Sequence, residues 1–113
     1  MASRLTTHAL DTETGAPARG MRVSLAAIRV TSAPLAEIVL DGDGRGVLAE
    51  ALEPGVYEIV FQAADYHRAR GAALADPPFL GEVPIRFGVA PNEAHYHVPL
   101  LLTRFSYSTY RGS

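Results

Sequence analysis

With 113 residues, 48% of them apolar and 19% charged, the chain is globular and long enough for one hydrophobic core, so residues 1–113 are expected to form a single domain. Its formal net charge is −2 and its 10 Lys and Arg residues are scattered, which excludes the electrostatic footprint of a nucleic-acid or anionic-membrane binder. It contains no cysteine, so disulfides, thiolate metal ligands and a cysteine nucleophile are excluded as well.

The elements read as short strands punctuated by turns. Leu5 to Asp11 is the first strand, followed by the turn-rich Thr14-Gly15-Ala16-Pro17-Ala18-Arg19-Gly20. Met21 to Val30 alternates apolar and polar residues before becoming uniformly apolar, and Pro34 closes it. Leu35 to Leu40 is a third strand, and Asp41-Gly42-Asp43-Gly44 is a strong turn. Val47 to Leu52 is weakly strand-like, Pro54-Gly55 turns again, and Val56 to Phe61 alternates cleanly. Ala63 to Arg70 has helix formers and no β-branched residue, with Gly71 as a stop, and reads as one short helix. Asp76-Pro77-Pro78 belongs to a loop; Val83 to Val89, Ala94 to Leu102 and Tyr107 to Arg111 are the remaining strands. Many short strands with frequent turns suggest an all-β sandwich.

The start, Met1-Ala2-Ser3-Arg4-Leu5, lacks the apolar stretch of a secretory leader, and Leu100-Leu101-Leu102 is far too short to span a bilayer. The cytoplasm is the expected compartment.

Three features invite chemistry. His8 shares a strand face with Thr6 and Leu10, because side chains alternate with period two. His95 and His97 share a face for the same reason, and a His-x-His pair can present two imidazoles to one zinc ion if a third ligand, His8 or a carboxylate, joins them. Exposed histidines on a sheet surface explain the same spacing equally well. Arg45 follows the Gly44 turn at a strand start, where most arginines are solvated or paired with a carboxylate. Asp41 and Asp43 read as turn residues whose carboxylates bond nearby amides. No nucleophile elbow, phosphate-binding glycine loop or dinucleotide fingerprint occurs.

Together these segments resemble the 5-hydroxyisourate hydrolases of the transthyretin-like family. The resemblance is carried by Leu5-Thr6-Thr7-His8-Ala9-Leu10-Asp11 with Gly15-Ala16-Pro17-Ala18, and by Asp43-Gly44-Arg45. It continues through Glu82-Val83-Pro84-Ile85-Arg86-Phe87 and His95-Tyr96-His97-Val98-Pro99-Leu100-Leu101 to the tail Tyr107-Ser108-Thr109-Tyr110-Arg111-Gly112-Ser113, its most specific piece. It implies a transthyretin-like β-sandwich of two four-stranded sheets with one short helix. It also implies a homotetramer whose active sites line a channel at the dimer–dimer interface. His8, Arg45, His97 and Ser113 then correspond to catalytic positions, and Tyr110, Arg111 and His95 to substrate-binding ones. Thr103-Arg104 stands where the family commonly has Ser-Pro, a departure expected to alter a turn and not the site.

The reaction implied is hydrolysis of 5-hydroxyisourate to 2-oxo-4-hydroxy-4-carboxy-5-ureidoimidazoline in urate degradation, with no cofactor and no metal. A neutral imidazole of the His8/His97 pair would activate water, and Arg45 would stabilise the oxyanion. The sequence is also compatible with two other readings: a non-catalytic transthyretin-like binder of a small ligand, and a zinc hydrolase using His8, His95 and His97.

Overall fold

The computed structural model describes residues 2–28 and 34–112. Its strands are β1 (Ser3–Asp11), β2 (Ala16–Pro17), β3 (Arg22–Ala27), β4 (Ala36–Val39), β5 (Arg45–Leu52), β6 (Gly55–Gln62), β7 (Glu82–Val89), β8 (His95–Leu102) and β9 (Tyr107–Thr109), with helix α1 (Ala63–Ala69) between β6 and β7. One sheet runs β4-β3-β6-β7, antiparallel throughout. The other is built on β1, which pairs in parallel with β8 and antiparallel with β5, while β9 adds to the far side of β8. The two-residue β2 joins the β5 side of β1 near its end, so the expected pair of four-stranded sheets is present with this small addition.

Alternation places Leu5 and Ala9 of β1 inward against Leu100 and Leu102 of β8, all essentially without solvent contact. From the other sheet Leu25, Ile59 and Phe61 meet them to form the core. Thr7 is also inward, and its hydroxyl is satisfied by the Val98 carbonyl at 2.8 Å. The opposite face of β1, carrying Arg4, Thr6, His8 and Leu10, turns outward and is exposed or half-buried. His95 and His97 lie on the same outward face of β8.

Helix α1 spans fewer residues than the expected Ala63–Arg70 by one, and Gly71 at φ 84° turns the chain away from it. It docks beside the end of β1 through a charged hub. The buried Asp11 carboxylate accepts hydrogen bonds from Tyr66 Oη (2.8 Å) and the Glu13 backbone N–H (2.9 Å), and pairs with Arg70 Nε (2.9 Å). Burial alone would raise its pKa, but these donors outweigh burial and hold it below the ordinary range. Against the same hub, Tyr66 is pushed up to about 12, first by burial and then by its bond to Asp11.

Several expected elements are shorter at their ends, among them Leu35–Leu40, which is regular only over Ala36–Val39. The strand expected over Met21–Val30 is regular only to Ala27, and its end falls on residues 29–33, outside those described. The last strand stops at Thr109, two residues early, although Gly112 makes a further single bridge to His97. The departure at Thr103-Arg104 forms a turn closed by Thr103 N–H to the Ser106 carbonyl (2.9 Å). There Arg104 also donates its backbone N–H to Glu13 (2.8 Å), a bond that proline cannot make.

Candidate active site

The outward face of the β5-β1-β8 trio gathers the residues singled out in the sequence. Register sets His8 opposite Arg45 on β5, and Thr6 opposite Val47 on one side and His97 on the other. The β1–β5 ladder slips between Ser3 and Thr6, an irregularity of the kind that re-aims side chains next to a site. Arg45 is delivered by a rigid turn. Asp41 Oδ1 accepts the backbone N–H groups of Asp43 (2.9 Å) and Arg45 (3.0 Å), and Gly44 N–H closes back on the Asp41 carbonyl at 2.9 Å. Those amides hold the Asp41 carboxyl below its usual value. Gly44 has φ 73°, and a β-carbon there would stand 2.6 Å from the Ala9 carbonyl oxygen, so no other residue fits without moving β1.

A recess of about 340 Å³ opens on this face, lined by Arg4, Thr6, Asp41, Arg45, Val47, His95 and His97 among others. His8 stands beside it, in register with Arg45 but outside the lining. A larger recess of about 440 Å³ on the β3–β4 side is lined by Arg22, Ser24, Glu37 and Asp65 and contains no histidine. It has hydrogen-bonding groups but no neutral base, which turns attention to the smaller recess.

His97 is the most constrained group in it. Its Nδ1 is 2.8 Å from Thr6 Oγ1, and the same hydroxyl lies 2.8 Å from His95 Nε2. The two imidazole centroids are 6.3 Å apart. Burial, then the positive charge of Arg45, then His8 and His95, push the His97 pKa below the ordinary histidine value and favour the neutral ring. Its Nε2 makes no protein hydrogen bond among the described residues. Among these residues no three His, Cys, Asp or Glu side chains converge as metal ligands.

The tail folds back along β8. Gly112 N–H donates to the His97 carbonyl at 2.7 Å, and the space where a β-carbon would stand on Gly112 is taken by the imidazole. Arg111 lies with its guanidinium carbon 4.2 Å from the Tyr96 ring centroid and its Nη2 within 3.2 Å of Glu93 Oε2, so it fastens the tail to the start of β8. Tyr110 is exposed. Ser113 lies outside the described residues.

Sequence reasoning singled out His8, Arg45, His95 and His97 separately, and the structure brings them to one face; it read Asp41 correctly as a turn residue bonding nearby amides, and missed the roles of Thr6 and Gly112 beside His97. Thr6 was visible as a face-mate of His8. What linked it to the histidines was the parallel β1–β8 register across some ninety residues of chain (|i−j| of 91 for Thr6–His97), which no local pattern reveals.

Comparisons with known proteins show the family to which this fold belongs. The chain is 47% identical to the 5-hydroxyisourate hydrolase of Pseudomonas aeruginosa over 115 residues, covering 97% of this chain and 91% of that protein. Its fold superposes on Klebsiella pneumoniae 5-hydroxyisourate hydrolase with a TM-score of 0.84 at 32% identity, over 98% of this chain and 99% of the other. It also superposes on (S)-allantoin synthase with a TM-score of 0.86 at 37% identity, over 99% of this chain but only 45% of the longer one. A family model described as the HIUase/Transthyretin family matches residues 5–112, and the chain belongs to that family.

Proposed function

We propose that this protein is a 5-hydroxyisourate hydrolase, opening the six-membered ring of its substrate to give 2-oxo-4-hydroxy-4-carboxy-5-ureidoimidazoline in urate degradation. The observation that carries the reading is His97: a half-buried imidazole lining the recess, its neutral form favoured by burial and by Arg45, with Nδ1 meeting Thr6 Oγ1. A neutral base next to a fixed cation suits attack of water on a cyclic amide.

In this reading Nε2 of His97 takes a proton from water as its oxygen adds to the ring carbonyl. The charge that develops on the carbonyl oxygen is met by Arg45, whose guanidinium is charged throughout. When the ring C–N bond breaks, the departing nitrogen takes up the proton held on His97, and a carboxyl group remains on the carbon. His8, beside Arg45, orients water or shares the proton. A positioned base contributes about two to four decades of rate, and each decade is about 1.4 kcal/mol. Covalent catalysis is not required.

Tyr110 and Ser113 enter the proposal as tail groups that contact substrate, the latter on family resemblance. His95 enters as a partner of Thr6, and Arg111 as the anchor of the tail. The recess is open on one side, and a second dimer packed on the β5-β1-β8 face would close it, consistent with a homotetramer whose sites lie at the dimer–dimer interface. The cytoplasm is the proposed compartment; among the described residues no helix is long and apolar enough to cross a membrane.

The test is substrate decay. With 5-hydroxyisourate generated in situ from urate by urate oxidase, absorbance should fall faster in proportion to added protein. Binding of the substrate with no change in its decay would identify a non-catalytic ligand carrier instead.

A further inference from the structure

Thr6 stands between two imidazoles. Its Oγ1 is 2.8 Å from His95 Nε2 and 2.8 Å from His97 Nδ1, and the β1–β8 register sets it directly opposite His97. A hydroxyl has one proton to donate, so the two ring nitrogens cannot both be bare: at least one meets Thr6 as an N–H. The two rings are unequal. His95 is exposed and its charge can be solvated, whereas His97 is half-buried with Arg45 and His8 nearby. The arrangement that suits these surroundings has His97 donating its Nδ1–H to Thr6 and Thr6 donating its proton to His95. Which nitrogen of an imidazole carries the proton is set by the bond made at the other nitrogen.

We propose that Thr6 is a positioning residue that holds His97 in the Nδ1–H tautomer, leaving Nε2 bare, and links it to His95 as a proton outlet. The proposal rests on the reading of His97 as the base. The steps balance. Water gives one proton to His97 Nε2; the imidazolium then releases its Nδ1 proton to Thr6 Oγ1, while Thr6 releases its own proton to His95 Nε2. The hydroxyl is restored, and the positive charge has moved from the half-buried ring to the exposed one. Running the same transfers backwards returns a proton to His97 for the departing nitrogen.

The experiment pairs a spectroscopic reading with kinetics. Thr6→Val keeps the side-chain shape and removes the hydroxyl; Thr6→Ser keeps the hydroxyl. Long-range ¹H–¹⁵N spectra of the imidazole rings report the tautomers without substrate. Wild type should show His97 protonated at Nδ1, and Thr6→Val should move it toward the Nε2–H form. In the decay assay Thr6→Val should lower kcat about tenfold or more with little change in KM, and Thr6→Ser should restore most of it. A wild-type His97 protonated at Nε2, or equal kcat in Thr6→Val and wild type, overturns the proposal. If instead His97→Asn keeps full activity while the spectra show the Nδ1–H form, it is the assignment of the base that fails.

Discussion

Gly112 and His97 are in direct contact: the glycine N–H bonds the histidine carbonyl at 2.7 Å, and a β-carbon on Gly112 would stand 2.6 Å from the imidazole Cδ2. The tail therefore lies against the Cδ2 side of the ring while Thr6 meets Nδ1.

Gly112→Ala is expected to lower kcat on the order of 10²-fold, because the ring must rotate off Thr6 or the tail must lift. Gly112 has no left-handed backbone requirement, so backbone strain is not involved. Thermal unfolding should be nearly unchanged, since the contact lies outside the core. Parallel measurement of kcat and unfolding midpoint checks this. A folded variant with wild-type turnover would show that the ring tolerates displacement.

The pH dependence follows from the same ring. Burial, Arg45, His8 and His95 all disfavour the imidazolium, so the acid limb of kcat/KM should fall below the ordinary histidine value of 6.5. Arg45→Gln removes one of these charges. It should shift that limb to higher pH and, by leaving the oxyanion unmatched, lower kcat by about 10²-fold or more. A pH–rate series on both proteins reads the two effects separately.

His67, in α1, is completely buried, and among the described residues neither ring nitrogen has a hydrogen-bond partner; the Thr103 backbone faces it without meeting hydrogen-bond geometry. Burial first, then Arg70, lowers its pKa in the folded protein. The unfolded chain binds this proton near 6.5 and the folded one resists it. Stability present above 6.5 should therefore be lost as pH falls from there through the folded value, with His97 adding a term of the same sign. His67→Leu should flatten that loss and gain about 1 kcal/mol or more, since two unsatisfied polar atoms are removed. Urea titrations at several pH values measure both.

Much of the sandwich was legible because its signals are local. Alternation in Val56 to Phe61 and at the start of Met21 to Val30, turns at Asp41 to Gly44, and Gly71 after a run of helix formers all act within a few residues. The β5 strand read weakly because Gly46, Ala49, Glu50 and Ala51 interrupt its alternation. It forms nonetheless, since pairing with β1 supplies what local preference lacks. The histidines and Arg45 were visible as residue types, with His95 and His97 on one strand face, but their meeting on a single sheet face was not. Thr6, Gly112 and the Asp11–Arg70–Glu13–Arg104 links were not, because each depends on segments distant in the chain.

The central claim is that His97 is the base, and His97→Asn tests it most directly. Asparagine preserves polarity and approximate size, so the sandwich should fold, as circular dichroism and thermal unfolding would show. With 5-hydroxyisourate produced in situ, wild type should accelerate decay in proportion to its concentration, and the variant should lose about 10²- to 10⁴-fold of that acceleration. A folded His97→Asn protein that matches wild type would contradict the account.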